Sequence, residues 1–142
     1  MNLPAGETHM CFGCSPHNPI GFKLKFSMLG DICRAEFIAG DKYQGWNGCM
    51  HGGLIATLLD ETMAQWLWLN GIPAMTAEMT TRYSLAVPIN TPLILESSML
   101  EEKGKLYILE GKLILPDKKI AAKSKGKFLR IKPGINVPEN IF

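Results

Sequence analysis

Two rhythms of hydrophobic and polar residues run along the chain. Between residues 21 and 28 (GFKLKFSM) the pattern alternates, with Phe22, Leu24 and Phe26 on one side, the period of a half-buried strand. Gly30-Asp31 is a turn signal, and Ile32 to Ile38 reads as a second strand, making a hairpin. Residues 54–70, LIATLLDETMAQWLWLN, contain neither proline nor glycine and read as a helix, with Asn70, Gly71 and Pro73 as its stop signals. Together with the glycines ahead of it, this places one central helix at about residues 52–69. Extended runs follow at Thr76–Val87, Leu93–Glu101, Lys105–Leu115 and Ile120–Ile131. Turn signals at Asn90–Pro92, Lys103-Gly104 and Pro116–Lys118 separate them.

The helix is apolar on most sides, through Leu54, Ile55, Leu58, Leu59, Met63, Trp66 and Leu67, so it is expected to be buried on most sides. A narrow strip of Thr57, Asp60, Glu61, Gln65 and Trp68 interrupts it. Carboxylates on a mostly buried helix need a reason, because burying charge is costly. Hairpin-length turns between the later strands imply antiparallel pairing. The layout predicts an α+β hotdog fold, a curved antiparallel sheet of five to six strands wrapped around one long central helix.

The chain has 142 residues, 46% of them hydrophobic and 20% charged, which suits one globular domain over 1–142 and argues against disorder, a coiled coil or a collagen-like chain. Residues 1–19 read as a loop segment, with Pro4, Gly6, Gly13, Pro16 and Pro19. No apolar run is long enough for a membrane span, and the first ten residues lack the apolar stretch of a secretory signal. Four cysteines are too few for a disulfide scaffold at this length. A cytoplasmic, reducing location without membrane attachment is the expectation. The net charge of +2 is unevenly spread: between Lys118 and Lys132 stand seven positive charges and no acid. Lys123, Lys125 and Lys127 share one face of the last strand. Such a patch suits a phosphorylated ligand, or is simply a solvated face. Nucleic acid is not the expected partner, since Phe128 alone interleaves the basic run.

The most informative stretch is Tyr43-Gln-Gly-Trp-Asn-Gly-Cys-Met-His51-Gly52-Gly53, running into the helix and on to Asp60-Glu61. Glycines at a helix start let a ligand approach the backbone, and the unpaired N–H groups there can polarise a carbonyl. His51 and Asp60 are nine residues apart. On a straight helix that is about 13 Å of rise and about half a turn. The two ends therefore cannot meet over one carbonyl within a single copy. If both serve one site, a second helix runs antiparallel alongside, as a two-fold homodimer provides. The plain alternatives are a tight helix entry, a capping or core histidine, and a hydrogen-bonded helix carboxylate.

These residues resemble the hotdog acyl-CoA thioesterases of the phenylacetate-pathway type, including the human acyl-CoA thioesterase superfamily members. The resemblance rests on Cys11-Phe-Gly-Cys14 with Asn18-Pro19-Ile-Gly21, on Tyr43-Gln44-Gly45 through His51-Gly52-Gly53 to Asp60, and on Met75-Thr76-Ala77, Tyr83 and Pro88-Ile89. It implies a thioester hydrolase that cleaves acyl-CoA to free acid and CoA. Asp60 would be general base or nucleophile, Thr76 would place the attacking water, and the Gly53 amide would polarise the carbonyl. His51 and Gly52 would flank the site. Several relatives carry an asparagine six residues before the histidine; this chain has Gly45 there, and Gln44 or Asn47 stands in as the amide. Lys123, Lys125 and Lys127 would hold the phosphates of coenzyme A. Glu61, about 100° round the helix from Asp60, would be a charged neighbour or a dimer contact. The expected assembly is a homodimer with the active site across the subunit interface, dimer and dimer-of-dimers tetramer both remaining open.

Two further readings complete the sequence picture. His9-x-Cys11-x-x-Cys14-x-x-His17 looks like a metal knuckle, but its spacings are tight, so the expectation is no metal and no cofactor beyond the coenzyme A of the substrate. Trp66 reads as core, and Trp46 and Trp68 as candidates for an acyl pocket. The rival functions are a non-catalytic acyl-ligand binding protein of the same fold, and a hotdog hydratase or dehydratase. The latter would need a histidine after His51, and none occurs.

Overall fold

The helix-forming stretch does form one helix, α1, at Gly52–Leu69. Its start is set by His51, whose Nδ1 accepts the Gly53 N–H. Its end is set by Gly71, which takes a left-handed φ of 77° and lets the Gly71 and Ile72 amides turn back onto Trp68 and Leu67. The computed structural model describes residues 9–132, so the first eight residues of the expected N-terminal loop lie outside it.

Six strands make one antiparallel sheet: β1 (Ser27–Leu29), β2 (Ile32–Ile38), β3 (Ala74–Tyr83), β4 (Pro92–Lys103), β5 (Leu106–Ile114) and β6 (Ile120–Arg130). Their order is β1-β2-β4-β5-β6-β3, so the ten-residue β3 is an edge strand. This is the hotdog fold. In β5 and β6 every second residue is buried, including Tyr107, Leu109 and Leu113, and Ala122, Ser124, Gly126 and Phe128. Those residues face α1, and the intervening ones face away.

α1 packs its apolar sides into this concave face. Leu58, Leu59 and Met63 are fully buried, each contributing roughly 1.5–3 kcal/mol. Gly111 and Gly126 make room for Met63: a Cβ on Gly111 would stand 3.3 Å from its Cγ, and one on Gly126 3.1 Å from its Cε. The buried Ser97 hydroxyl donates to the Thr62 carbonyl at 2.7 Å, tying the helix backbone to β4. Trp66 is core, 8% exposed, and its indole N–H donates to the Asp31 carbonyl.

The first predicted strand is much shorter than its alternation implied. Phe22 and Leu24 are buried as the pattern requires, but Lys23 has a φ of 55°, which breaks the extended chain. The Phe22 and Leu24 amides donate to the carbonyls of Phe12 and Gly13 instead of to a neighbouring strand. The ladder therefore starts only at Ser27. Phe12 also packs edge-on against Phe22, which contacts Phe37 and Tyr43, so the loop from residue 9 is docked on the body of the fold. Among the described residues no helix is long and apolar enough to cross a membrane.

Candidate active site

Asp60 lies on the helix face that meets β3. The Thr76 hydroxyl donates to its Oδ1 at 2.7 Å. Thr76 is brought there by the sheet: it pairs with Phe128 on β6, but Glu78 already pairs with Lys127, so Ala77 is an extra residue that bulges the strand. Burial raises the Asp60 carboxyl above its ordinary range, against the opposing pull of the Thr76 hydrogen bond. One carboxylate oxygen is thus oriented by a donor while the group is largely withdrawn from water.

The helix start is assembled differently from the expectation. Gly53, assigned the carbonyl-polarising amide, donates its N–H to His51 Nδ1 at 2.9 Å, so His51 is the helix cap and that amide is engaged. The Leu54 and Ile55 amides both donate to the His51 carbonyl. The Gly52 N–H, at the first helical position, makes no hydrogen bond among the described residues. Tyr83, at the end of β3, donates its hydroxyl to the Gly52 carbonyl at 2.8 Å and sets this turn against the sheet. The residue spacing carried no signal for that contact, which joins positions 31 apart.

Gln44 does not point into a binding site. Its amide N–H donates to the Asp41 carbonyl at 2.7 Å and its oxygen accepts the Gly48 N–H at 2.6 Å, so the side chain holds its own loop together. Asn47 is exposed on that loop, and Trp46 is 89% exposed. Gly45, Trp46, Met50, His51 and Gly52 line an open depression at the helix start. A larger cleft, about 600 Å³, lies elsewhere: Phe37, Ile38, Leu93, Ile94 and Leu115 line it at the ends of β2, β4 and β5. None of the expected site residues borders it.

Lys123, Lys125 and Lys127 alternate with the helix-facing residues of β6, so they stand on the opposite face of the sheet from Asp60. Lys123 pairs with Glu110 at 3.2 Å and Lys127 with Glu78 at 3.6 Å. The structure does not bring these lysines together with Asp60 and Thr76.

Glu61, expected as a charged neighbour or a dimer contact, is engaged within the chain. It lies beneath the N-terminal loop, where its Oε1 is 3.6 Å from Cys11 Sγ and accepts from Gln65 Nε2 at 3.1 Å. Burial, then the adjacent Cys11 charge, pushes its carboxyl up to about 7. Cys11 is lowered to about 5, first by the hydrogen bond from the Cys14 thiol and then by the backbone amides of Cys14 and Gly13, while Cys14 is raised in turn.

Comparison with known proteins agrees with this architecture. The sequence pattern of the thioesterase superfamily matches residues 47–121, more than half of the chain, and the chain belongs to that family. The acyl-coenzyme A thioesterase THEM4 of Mus musculus is 28% identical over 98 residues, which are 68% of this chain and 42% of that protein. The chain spans about two fifths of the length of the curated relatives it matches. A crystal structure of a thioesterase superfamily protein superposes with a TM-score of 0.79 at 27% identity, over 82% of this chain and 61% of that one. The PaaI protein from the phenylacetic acid degradation operon of E. coli has the same fold, with a TM-score of 0.73 at 16% identity over 79% of this chain and 82% of its own.

Proposed function

We propose that this thioesterase-superfamily chain hydrolyses acyl-CoA thioesters, with Asp60 as the reacting carboxylate. The observation that carries the reading is the Asp60–Thr76 pair, a desolvated carboxylate oriented at 2.7 Å and standing eight residues from Gly52 at a glycine-rich helix start. The family membership and the name of the mouse relative support the substrate class. The arrangement on α1 supports an assembly of two copies. Asp60 and the Gly52 amide lie at separate levels of one helix, about 12 Å apart in rise. An antiparallel second helix brings them together, and the ten-residue edge of β3 offers unpaired backbone groups for such a copy.

In the proposed reaction the thioester carbonyl accepts a hydrogen bond from the Gly52 N–H of one protomer. Asp60 of its partner takes a proton from water as the oxygen attacks the carbonyl carbon. The tetrahedral oxyanion collapses, the C–S bond breaks, and the proton on Asp60 passes to the departing thiolate. The products are a free acid and coenzyme A. In the nucleophilic variant Asp60 itself attacks and the resulting anhydride is hydrolysed. Single turnover in ¹⁸O-labelled water separates the two, because only the anhydride route exchanges label into Asp60. The row of Lys123, Lys125 and Lys127 has its place in the proposal only if a further subunit brings it to the nucleotide.

The test is thiol release from a panel of aromatic and aliphatic acyl-CoA esters by the wild type and Asp60→Asn. The expected result is turnover that falls at least about 100-fold in the variant, in the range for removal of a general base. Turnover unchanged in Asp60→Asn refutes the assignment of the carboxylate. A folded wild type that binds acyl-CoA but releases no thiol from any ester refutes hydrolysis and leaves the acyl-ligand binding protein.

A further inference from the structure

We propose that Cys11, Cys14 and Glu61 form a zinc-binding site that clasps the N-terminal loop to α1. The inference does not depend on the hydrolase reading. The ligand atoms of these three residues all lie within 4.8 Å of one another, although Glu61 is fifty residues from Cys11 in sequence. Tetrahedral zinc, with Zn–S about 2.3 Å and Zn–O about 2.0–2.2 Å, separates a sulfur from an oxygen ligand by roughly 3.5 Å. The distance from Cys11 Sγ to Glu61 Oε1 is 3.6 Å.

The surroundings are built for ligation. Gln65 donates to both Glu61 Oε1, at 3.1 Å, and Cys14 Sγ, at 3.5 Å, orienting one carboxylate and one sulfur from a single side chain. Glycine at position 13 leaves the space that Glu61 occupies, since a Cβ there would stand 2.4 Å from Glu61 Cδ. The loop is fixed independently, because the Ser15 amide donates to the Cys11 carbonyl and the Phe22 and Leu24 amides donate to Phe12 and Gly13.

Two thiols and a carboxyl converge on a partly buried spot, and with these three as ligands a tetrahedral ion keeps one coordination position for water. Thiolate sulfur selects zinc over magnesium or calcium. The tertiary arrangement also changes the ligand set implied by the sequence: Glu61 joins the cysteines, and neither His9 nor His17 belongs to the group.

The test is Co²⁺ titration of the reduced, chelator-treated full chain, read by the visible bands of tetrahedral Co²⁺ and its thiolate charge-transfer absorption. One equivalent is expected to bind, to be displaced by Zn²⁺, and to bind at least about 100-fold more weakly in Cys11→Ser and Cys14→Ser. Glu61→Gln is expected to weaken it about 10- to 100-fold, with Cys49→Ser unchanged. A second measurement needs no variant: Zn²⁺ should slow alkylation of Cys11 and Cys14 at least tenfold, mapped by mass spectrometry, and leave Cys49 unaffected. Reduced, folded wild type that shows neither tetrahedral Co²⁺ bands nor Zn²⁺ protection of the two thiols overturns the proposal. Stoichiometric binding that persists in the Cys11→Ser, Cys14→Ser double variant overturns it equally.

Discussion

Replacing Thr76 by valine tests the chemistry of Asp60 without disturbing the fold. Valine keeps the β-branched shape that suits β3 and deletes only the hydroxyl. The lost contact is a 2.7 Å hydrogen bond to a carboxylate that burial has already made costly to ionise. Hydrogen bonds to charged groups contribute about 1.5–3 kcal/mol. Asp60 is partly exposed, so water replaces some of the loss and the lower half of that range applies. At about 1.36 kcal/mol per decade this predicts a 10- to 40-fold fall in kcat on the best acyl-CoA substrate. Stability should fall by about 1–2 kcal/mol, the lost hydrogen bond being offset in part by the methyl that replaces the hydroxyl. Thr76→Ser retains the donor and should keep kcat within about threefold of wild type. Steady-state thiol release, with urea unfolding alongside, measures both quantities. If Thr76→Val turns over within twofold of wild type, the hydroxyl does not serve the reacting carboxylate and the reasoning fails. Equal damage from serine and valine would mean that the methyl packing, not the hydrogen bond, matters.

Two further predictions concern the core. Gly126→Ala places a Cβ 2.6 Å from Phe128 Cε2 and 3.1 Å from Met63 Cε; Met63 can yield but the buried Phe128 ring cannot, so the variant should lose about 1–3 kcal/mol in urea unfolding, and equal or greater stability would contradict the packing described. Burial pushes the Cys33 thiol up to about 11 from its ordinary 9.0. The folded state thus keeps its proton where the unfolded chain releases it, so this contribution is fully present below pH 9.0 and is lost as pH rises through about 11. Urea unfolding of wild type and Cys33→Ala at about pH 8 and about pH 11 should show their stability difference shrinking by up to roughly 3 kcal/mol, and a pH-independent difference would refute it.

Much of the fold could be read along the chain because local periodicity reports which side of an element is buried. The glycine-free apolar run of residues 54–70 determined the helix, and alternation determined β2, β4, β5 and β6 to within two residues at each end. The same pattern marked Phe22 and Leu24 as buried but could not show that their amides are claimed by the Phe12 and Gly13 carbonyls, a long-range competition that leaves β1 short. Asp60 stood out as a carboxylate on an apolar helix; that Thr76 is its partner depends on a bulge at Ala77, which exists only because β3 pairs with β6. Spacing likewise pointed to the helix start but not to the engagement of the Gly53 amide by His51. The lysine row was legible as a face, yet which face of the sheet covers the helix is settled by packing, and it turns those lysines away from Asp60. Glu61 illustrates the limit most clearly. Its residue type and helix angle were plain from the sequence, but its neighbours are cysteines fifty residues earlier, brought against it by a loop whose docking is decided by Phe12, Phe22 and the space left at Gly13. Periodicity encodes burial within an element; contacts between distant elements arise from how those buried faces pack together.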